Sequence, residues 1–264
     1  MRKLIVTADD FGMAPSINEG IARACSEGIV TNTSLTPAGE AFDDAVRLAK
    51  KLGLREAGAH LALTEVKQGF HRHHKDLLID MMSGRVGKER LYSELKSQLE
   101  SAISTGIKIT SLSSHEHIHM FPAVRGMFIR LAKEYGVGAI RYLGGDRPAS
   151  IFDPAALYRS AILGIFSPGM RRAFDLSGLK HNGCIMGFID SGRIGEDVLI
   201  RLMCLLKDGT TELICHPGFL SPEVLSRYPF HVNCESELAA LTGRRVRRLI
   251  TASGVKLMKF SEGI

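Results

Sequence analysis

The chain has 264 residues, of which 45% are hydrophobic and 23% are charged, and its formal net charge is +6. This size and apolar content suit one domain with a single large core, and no stretch approaches the roughly 20 apolar residues of a membrane-spanning helix. The basic cluster GRRVRR (243–248) lies in a stretch of helical period, so we interpret it as a solvated helix face. The composition therefore argues against a nucleic-acid-binding or transmembrane role.

The cysteines and the N-terminus predict the compartment. Five cysteines are odd in number, far apart and without CxxC spacing, which favours buried, reduced thiols over a disulfide framework. The apolar run in MRKLIVTADD is too short for a signal peptide and meets two aspartates, so we expect a first strand there and a cytoplasmic protein. Contact between the apolar segment Ala161–Met170 and a membrane surface stays open, as does a homo-oligomeric state.

Short β-branched or apolar runs alternate with segments of helical period along the chain. The predicted strands are Lys3–Ala8, Ile29–Thr36, Glu56–Thr64, Ile107–His119, Val137–Leu143, Asn182–Phe188, Thr211–Pro217 and Val255–Phe260. The predicted helices, each ending in a glycine expected to form a left-handed C-cap, are 15–28, 41–53, 88–106, 124–136, 194–209 and 235–254. This alternation predicts a single α/β domain over residues 1–264. Its mostly parallel strands are expected to close, or nearly close, into a (β/α) barrel, with an open doubly wound sheet as the alternative.

Two segments interrupt the alternation, at about 65–90 and 144–181, and both exceed the usual connections of a few residues. The first contains His71, His73 and His74. Long connections at the carboxyl ends of strands commonly border a ligand site in such folds. We therefore expect two long loops over the active-site face, with a disordered insertion as the alternative.

Side chains with catalytic chemistry cluster where the predicted strands end. They are Asp9, Asp10, His60, His115, Glu116, His117, His119, Arg141 and His216. Each has an ordinary structural interpretation by itself, such as capping a helix, filling the core or bonding a turn. Together, however, they would meet at one edge of a parallel sheet, where such folds bind ligands. An aspartate and two histidines around an open coordination position form a catalytic site for a divalent metal.

The segment SSHEHIHMFP (113–122) carries three of the ten histidines. In extended backbone the three imidazoles would share one face, whereas a turn before Phe121 would separate them. We expect one of them to bind a metal and another to orient it through a hydrogen bond.

The motifs TADDFGM, HLALT, SSHEHIHMFP, CHPGF and ESELAALT, in this order and spacing, resemble the YdjC-like carbohydrate deacetylases. The resemblance implies a deformed (β/α) barrel. It also implies metal-dependent removal of an acetyl group from an N-acetylated sugar, oligosaccharide or glycolipid head group. By position, it implies Asp9 as the general base, His216 as the general acid, and Asp10, His60 and His115 as the ligands of one divalent metal.

Further expectations concern the metal and the neighbouring side chains. Two histidines and one carboxylate suit Zn²⁺ or Mg²⁺, and also Mn²⁺ or Co²⁺. Arg141, Glu116, His117 and His119 are expected to support the site or to face the substrate. Ser113 stands where the family commonly has an aspartate, so a neutral oxygen would have to orient a ligand.

Within the family, FIDSGRIGED (188–197) and the long middle segment are more similar to members linked to hopanoid biosynthesis. Two other functions are considered. One is a sugar-binding barrel without catalysis. The other is a metal-dependent phosphoesterase, which generally has an HxH pair near the first strand, where this chain has ADD.

Overall fold

The computed structural model describes residues 1–66, 74–150 and 153–264, so His71 and His73 lie outside the described residues. Within these ranges the strands are β1 (Arg2–Phe11), β2 (Asn32–Leu35), β3 (Glu56–Leu61), β4 (Lys108–Ser114), β5 (Ala139–Ile140), β6 (Cys184–Met186), β7 (Gly209–Cys215) and β8 (Lys256–Leu257). All pairings are parallel, in the order β5-β4-β3-β2-β1-β7-β6, and β8 pairs with the start of β1. The seven strands of the main path form a curled half-barrel in a single α/β domain, which confirms the predicted fold class.

The helices cover the outside of this sheet. They are α1 (Pro15–Glu27), α2 (Phe42–Lys51), α3 (His74–Met82), α4 (Lys88–Ser104), α5 (Pro122–Glu134), α6 (Pro154–Ser177), α7 (Glu196–Cys204), α8 (Pro222–Arg227), α9 (Cys234–Thr242), α10 (Arg244–Ala252) and α11 (Phe260–Gly263). Leu4, Val6 and Ala8 of β1 pack in the core with α1 and α9, while the alternate residues Thr7 and Asp9 take part in polar contacts. The strands are therefore buried on both faces, as expected for a parallel sheet flanked by helices.

The strands β5 and β6 at the two ends of the sheet are not paired with each other. Hydrogen bonds between the residues that follow β5 and those in and before β6 connect the two ends. The Asn182 amide accepts from Tyr142 N at 2.6 Å and donates to Tyr142 O at 2.8 Å. Ile185 N also donates to Gly144 O at 2.9 Å. The barrel is deformed at this junction, because an amide side chain replaces part of a strand ladder.

The structure corrects several sequence predictions. The strand expected to continue to His119 ends at Ser114, and a 3₁₀ segment (His115–Met120) follows. The two expected long loops contain helices α3 and α6. The helix predicted over 235–254 is broken into α9 and α10 at Gly243, whose φ of −65° and ψ of 138° are extended rather than helical. Gly28, with a φ of −110°, is not the left-handed cap expected for α1.

Two other expectations concern the cysteines and the membrane. All five cysteines are free thiols in the described chain. Among the helices of the described ranges, none combines the length and the apolar character required to cross a bilayer.

Candidate active site

Asp9 and Asp10 point to different partners because the backbone changes direction at the end of β1. Asp10 has a left-handed φ of 66°, a conformation that aspartate adopts more readily than most residues. The β1–β2 register also shifts between Ala8 and Phe11. As a result, Asp9 faces Arg141, whereas Asp10 faces the histidines.

Asp10, His60 and His115 form a buried group whose ligand atoms all lie within 4.8 Å of one another. Asp10 Oδ1 is 2.9 Å from His115 Nδ1 and 3.5 Å from His60 Nε2. Ligands bound at about 2.0–2.2 Å to one cation are separated by about 3–3.5 Å from each other. The donor set and its spacing therefore fit a divalent metal ion.

Each histidine of this group has a hydrogen-bond partner on its other ring nitrogen. His60 Nδ1 lies 2.7 Å from Ser113 Oγ, which is 3.0 Å from Ser34 Oγ. His115 Nε2 lies 3.1 Å from Glu65 Oε2. Such outer partners fix the tautomer and the orientation of metal-binding imidazoles. Ser113 thus occupies the orienting position with a neutral hydroxyl, as its place in the motif suggested.

Burial and neighbouring charges set the protonation of the group. Burial lowers the pKa of His60 to about 4, despite the nearby Asp9 and Asp10, so this imidazole is neutral at pH 7. Burial opposes the charged form of His115, but the Asp10 and Glu65 carboxylates raise its pKa well above its usual value. Burial also opposes ionisation of Asp10, yet His115 and His231 hold its pKa well below the usual range. A metal bound to His115 would therefore displace a proton from its ring.

A chain of buried charges lies next to the metal-binding group. Arg141, 2% exposed, donates to Asp9 Oδ2 at 2.6 Å and to Asp9 Oδ1 at 2.8 Å. The same guanidinium donates to Glu212 Oε1 at 2.9 Å and 3.1 Å, and Thr7 Oγ1 donates to that oxygen at 2.9 Å. Burial opposes ionisation of Asp9, but Arg141 and His60 outweigh it and lower the pKa. Burial raises the pKa of Glu212, whose Oε2 has no partner among the described residues.

The three histidines of the 113–122 segment do not share a face, because Glu116 and His117 have left-handed φ values of 49° and 52°. His117 packs against Phe188, with ring centroids 5.0 Å apart, and burial lowers its pKa well below the usual value. His119 lies close to Ser114 Oγ at 2.5 Å and to the Arg141 carbonyl at 3.1 Å. His119 therefore connects the end of β4 to the backbone at Arg141.

Glu116 connects the 3₁₀ segment to Thr64 and to His74, the first residue of α3. Its carboxylate accepts from Thr64 Oγ1 at 2.6 Å and from His74 N at 3.0 Å, and it lies 2.6 Å from His74 Nδ1. Burial opposes ionisation of Glu116, but the bonds from His74 and Thr64 lower its pKa. Glu116 is therefore an anchor for α3 at the edge of the site.

His216 follows β7 and faces the same space. Its backbone N donates to Glu237 Oε2 at 2.7 Å, and its ring Nδ1 is 4.0 Å from the same oxygen. The ring packs edge-on against Phe230, with centroids 5.0 Å apart. The Glu237 carboxylate thus holds the backbone at His216 and lies beside its ring.

These side chains surround a cavity of about 250 Å³. Its lining residues are Asp10, His60, Glu65, His74, His115, Glu116, His117, Arg159, Phe188, Ser191, His216 and Phe230. Asp9, Arg141 and His119 lie behind this lining rather than in it. Every non-glycine residue with a left-handed φ in the described ranges lines the cavity: Asp10, Glu65, Glu116 and His117. Strained backbone of this kind concentrates at functional sites.

Sequence reasoning missed several residues of this site. Glu65 and Arg159 lie in segments that carry no strand pattern, and Glu212 is hidden within the apolar run of β7. His231 lies between the predicted strand that ends at Pro217 and the helix predicted from residue 235, yet its Nε2 lies 3.0 Å from Asp10 Oδ2. The one available signal was that a carboxylate within a buried strand requires a buried cation.

The family described as YdjC-like protein matches residues 3–252 of this chain. The chain belongs to the YdjC-like family. The resemblance drawn from the sequence motifs is thereby confirmed.

Relatives of this YdjC-like chain match it along almost its whole length. A carbohydrate deacetylase of Brevibacillus brevis is 31% identical over 274 residues, covering 98% of this chain and 99% of the relative. A carbohydrate deacetylase of Clostridium beijerinckii is 27% identical over 270 residues, with the same coverage. A solved structure of an Enterococcus faecalis protein, 22% identical, has a TM-score of 0.78 and covers 99% of this chain and 98% of that protein, so the two share a fold.

Proposed function

We propose that this YdjC-like chain is a metal-dependent carbohydrate deacetylase, which hydrolyses the acetyl group from an N-acetylated sugar. The observation that carries the proposal is the convergence of Asp10, His60 and His115 on one cavity. The end-to-end similarity to relatives named carbohydrate deacetylase supports the same reaction class. The chemistry of the donor set suits Zn²⁺ or Mg²⁺, with Mn²⁺ and Co²⁺ as further candidates.

In this proposal Asp10, His60 and His115 hold the metal. A divalent cation bound there supplies Lewis acidity, which polarises the acetyl carbonyl and makes water a better nucleophile. The neutral state of His60 and the ionised state of Asp10 are the protonation states that ligation requires. Ser113 and Glu65 keep the two imidazoles directed at Asp10.

His216 is the proposed general acid. It lines the cavity, and Glu237 lies 4.0 Å from its Nδ1. A protonated His216 would give its proton to the departing amine as the C–N bond breaks. Phe230 fixes the ring from one side.

Asp9 is the proposed general base. Arg141 keeps it ionised, which a base requires, but the same ion pair makes it a weak base, and Asp9 lies behind the cavity lining. An Asp9→Asn variant that loses turnover while keeping metal affinity and stability supports the assignment. A variant that loses stability but keeps turnover per folded molecule would identify Asp9 as the anchor of Arg141 instead.

Substrate selection is assigned to the outer part of the cavity. We propose that the segments of about 65–90 and 144–181 border the substrate, because His74 and Arg159 belong to them and line the cavity. His117 and Phe188 present an imidazole and an aromatic face to the same space. The hopanoid connection and the cytoplasmic location stay predictions. A free and a lipid-linked sugar stay alternatives, as do a monomer and a homo-oligomer.

The test is acetate release from a panel of N-acetylated sugars and glycolipids. Metal-stripped protein and protein restored with Zn²⁺ or Mg²⁺ are compared, with His60→Ala as the matched inactive variant. Metal-dependent acetate from the native chain alone supports a deacetylase. Stoichiometric bound metal without acetate from any compound would favour a binding barrel, and phosphate release from sugar phosphates would favour a phosphoesterase.

A further inference from the structure

His231 contacts the carboxylate oxygen of Asp10 that faces away from the other two ligands. Oδ1 of Asp10 lies near His60 and His115, whereas Oδ2 lies 3.0 Å from His231 Nε2. Because an ionised carboxylate only accepts hydrogen bonds, Nε2 of His231 must carry the proton and donate it. Oδ2 of Asp10 is thus occupied by His231, whereas Oδ1 faces His60 and His115 and is the oxygen that would bind a metal held between them.

Among the described residues, the ring of His231 makes one hydrogen bond, from Nε2 to Asp10 Oδ2. It is 2% exposed, and its Nδ1 is buried without a hydrogen-bond partner among the described residues. Leaving a ring nitrogen buried and unsatisfied is unfavourable. An apolar side chain would fill the same space without that cost, so the donor to Asp10 is the feature that distinguishes a histidine here.

Aromatic side chains fix the ring in place. Its centroid lies 5.4 Å from that of Phe230, 5.9 Å from that of His216 and 6.2 Å from that of Tyr228, all in edge-on arrangements. The residue lies in a 3₁₀ segment, Pro229–Asn233, and His231 N donates to Tyr228 O at 2.9 Å. The donor therefore has little freedom to follow Asp10 if the carboxylate rotates.

We propose that His231 is a positioning residue that restricts Asp10 to monodentate metal ligation through Oδ1 and thereby raises metal affinity. The inference rests on the proposed function only in requiring that Asp10, His60 and His115 bind a metal. It assigns a role to the segment after His216, because that segment delivers both Phe230 to the cavity and His231 to Asp10.

The experiment compares two substitutions of similar size. His231→Phe keeps an aromatic ring in the aromatic surroundings but removes the donor, and His231→Gln keeps an N–H at a similar reach. Tyr228→Phe is the control for the surroundings, since it keeps the aromatic ring and removes a hydroxyl that donates, at 3.5 Å, to Met13 O. The Zn²⁺ dissociation constant is measured by competition with a chelator, and the visible spectrum of the Co²⁺ form reports the coordination. Thermal unfolding of the metal-free proteins verifies folding.

We expect the Zn²⁺ dissociation constant to rise about 10–100-fold in His231→Phe and to stay within about threefold of the native value in His231→Gln. The Co²⁺ spectrum should change only in His231→Phe. Native affinity in His231→Phe would overturn the proposal, and equal losses in both variants would do so too, by indicating that His231 is itself a ligand. If His231→Phe does not fold, His231→Leu takes its place with the same expectation. Absence of metal binding by the native chain would instead refute the proposed function.

Discussion

The site has two halves that are held in different ways. Asp9, Asp10, His60 and Arg141 lie at or just beyond strand ends, where backbone ladders and buried ion pairs fix them. We call these residues the strand-borne half. The loop-borne half, to which Glu116 belongs, is held by side-chain hydrogen bonds between connecting segments. The residues proposed for metal binding and as general base thus lie on the sheet, whereas the rim of the cavity is built by connecting segments.

The strand-borne half should be the more sensitive to substitution in catalysis. Asp10→Ala removes the only carboxylate of the metal-binding group, and we expect a loss of metal binding and at least a ~10³-fold loss of turnover. Bound metal by atomic emission and acetate release are the measurements. Asp197→Asn, at an exposed aspartate, is the control. If Asp10→Ala kept its bound metal and its turnover, the strand-borne half would not be the more sensitive one in catalysis.

Substitutions of Arg141 and Arg159 compare the two halves by their effect on the free energy of unfolding. Arg141→Met leaves the Asp9 and Glu212 carboxylates buried without their cation, so we expect the free energy of unfolding to fall by about 3–5 kcal/mol. Arg159→Met removes bonds to the carbonyls of Ile189 and Ser191, which are neutral acceptors, and should cost about 1 kcal/mol. Urea unfolding at pH 7 measures both.

A double variant identifies the cause of the Arg141 effect. Arg141→Met with Glu212→Gln removes one of the stranded charges and should recover part of the lost stability. Equal destabilisation by Arg141→Met and Arg159→Met would show that burial of ion pairs does not distinguish the two halves.

The two halves also differ in how far the sequence could predict them. The strand-borne residues were found because apolar runs locate strand ends, and because ligands bind at the carboxyl ends of parallel strands. Glu65 and His231 were missed because their positions depend on tertiary contacts of segments without periodicity. The sequence left open whether the three histidines share a face or are separated by a turn, because extended periodicity cannot anticipate the left-handed residues Glu116 and His117, which separate them.

The hydroxyl that orients His60 provides a smaller effect within the strand-borne half. Ser113→Ala removes the partner of His60 Nδ1, so we expect metal affinity about 10–100-fold weaker without loss of folding. Ser34→Ala, one bond further away, should have a smaller effect because it removes only the contact to Ser113. Chelator competition measures both. A larger loss of metal affinity in Ser34→Ala than in Ser113→Ala would contradict the proposed series of hydrogen bonds from Ser34 through Ser113 to His60.

Asp146 makes the stability of the loop-borne half depend on pH. Its carboxylate accepts from Ile189 N at 2.8 Å, and Asp190 accepts from Ala149 N at 2.9 Å, so this acidic pair joins two connecting segments beside Phe188. Burial, with the nearby Asp190 charge, raises the pKa of Asp146 to about 7 in the folded chain.

The unfolded chain releases the Asp146 proton near the ordinary value of an aspartate, whereas the folded chain holds it until about pH 7. Between these values the folded state binds more protons, so the free energy of unfolding falls as pH rises from about 4 to 7. Asp146→Asn lacks this proton and should keep about 2–3 kcal/mol that the native chain loses between pH 5 and 8. Thermal or urea unfolding across that range measures the difference between the two profiles, which cancels groups common to both. Parallel profiles would mean that Asp146 is ionised throughout. In that case the backbone N–H groups of Arg147 and Ile189 would stabilise an ionised Asp146 carboxylate at this position.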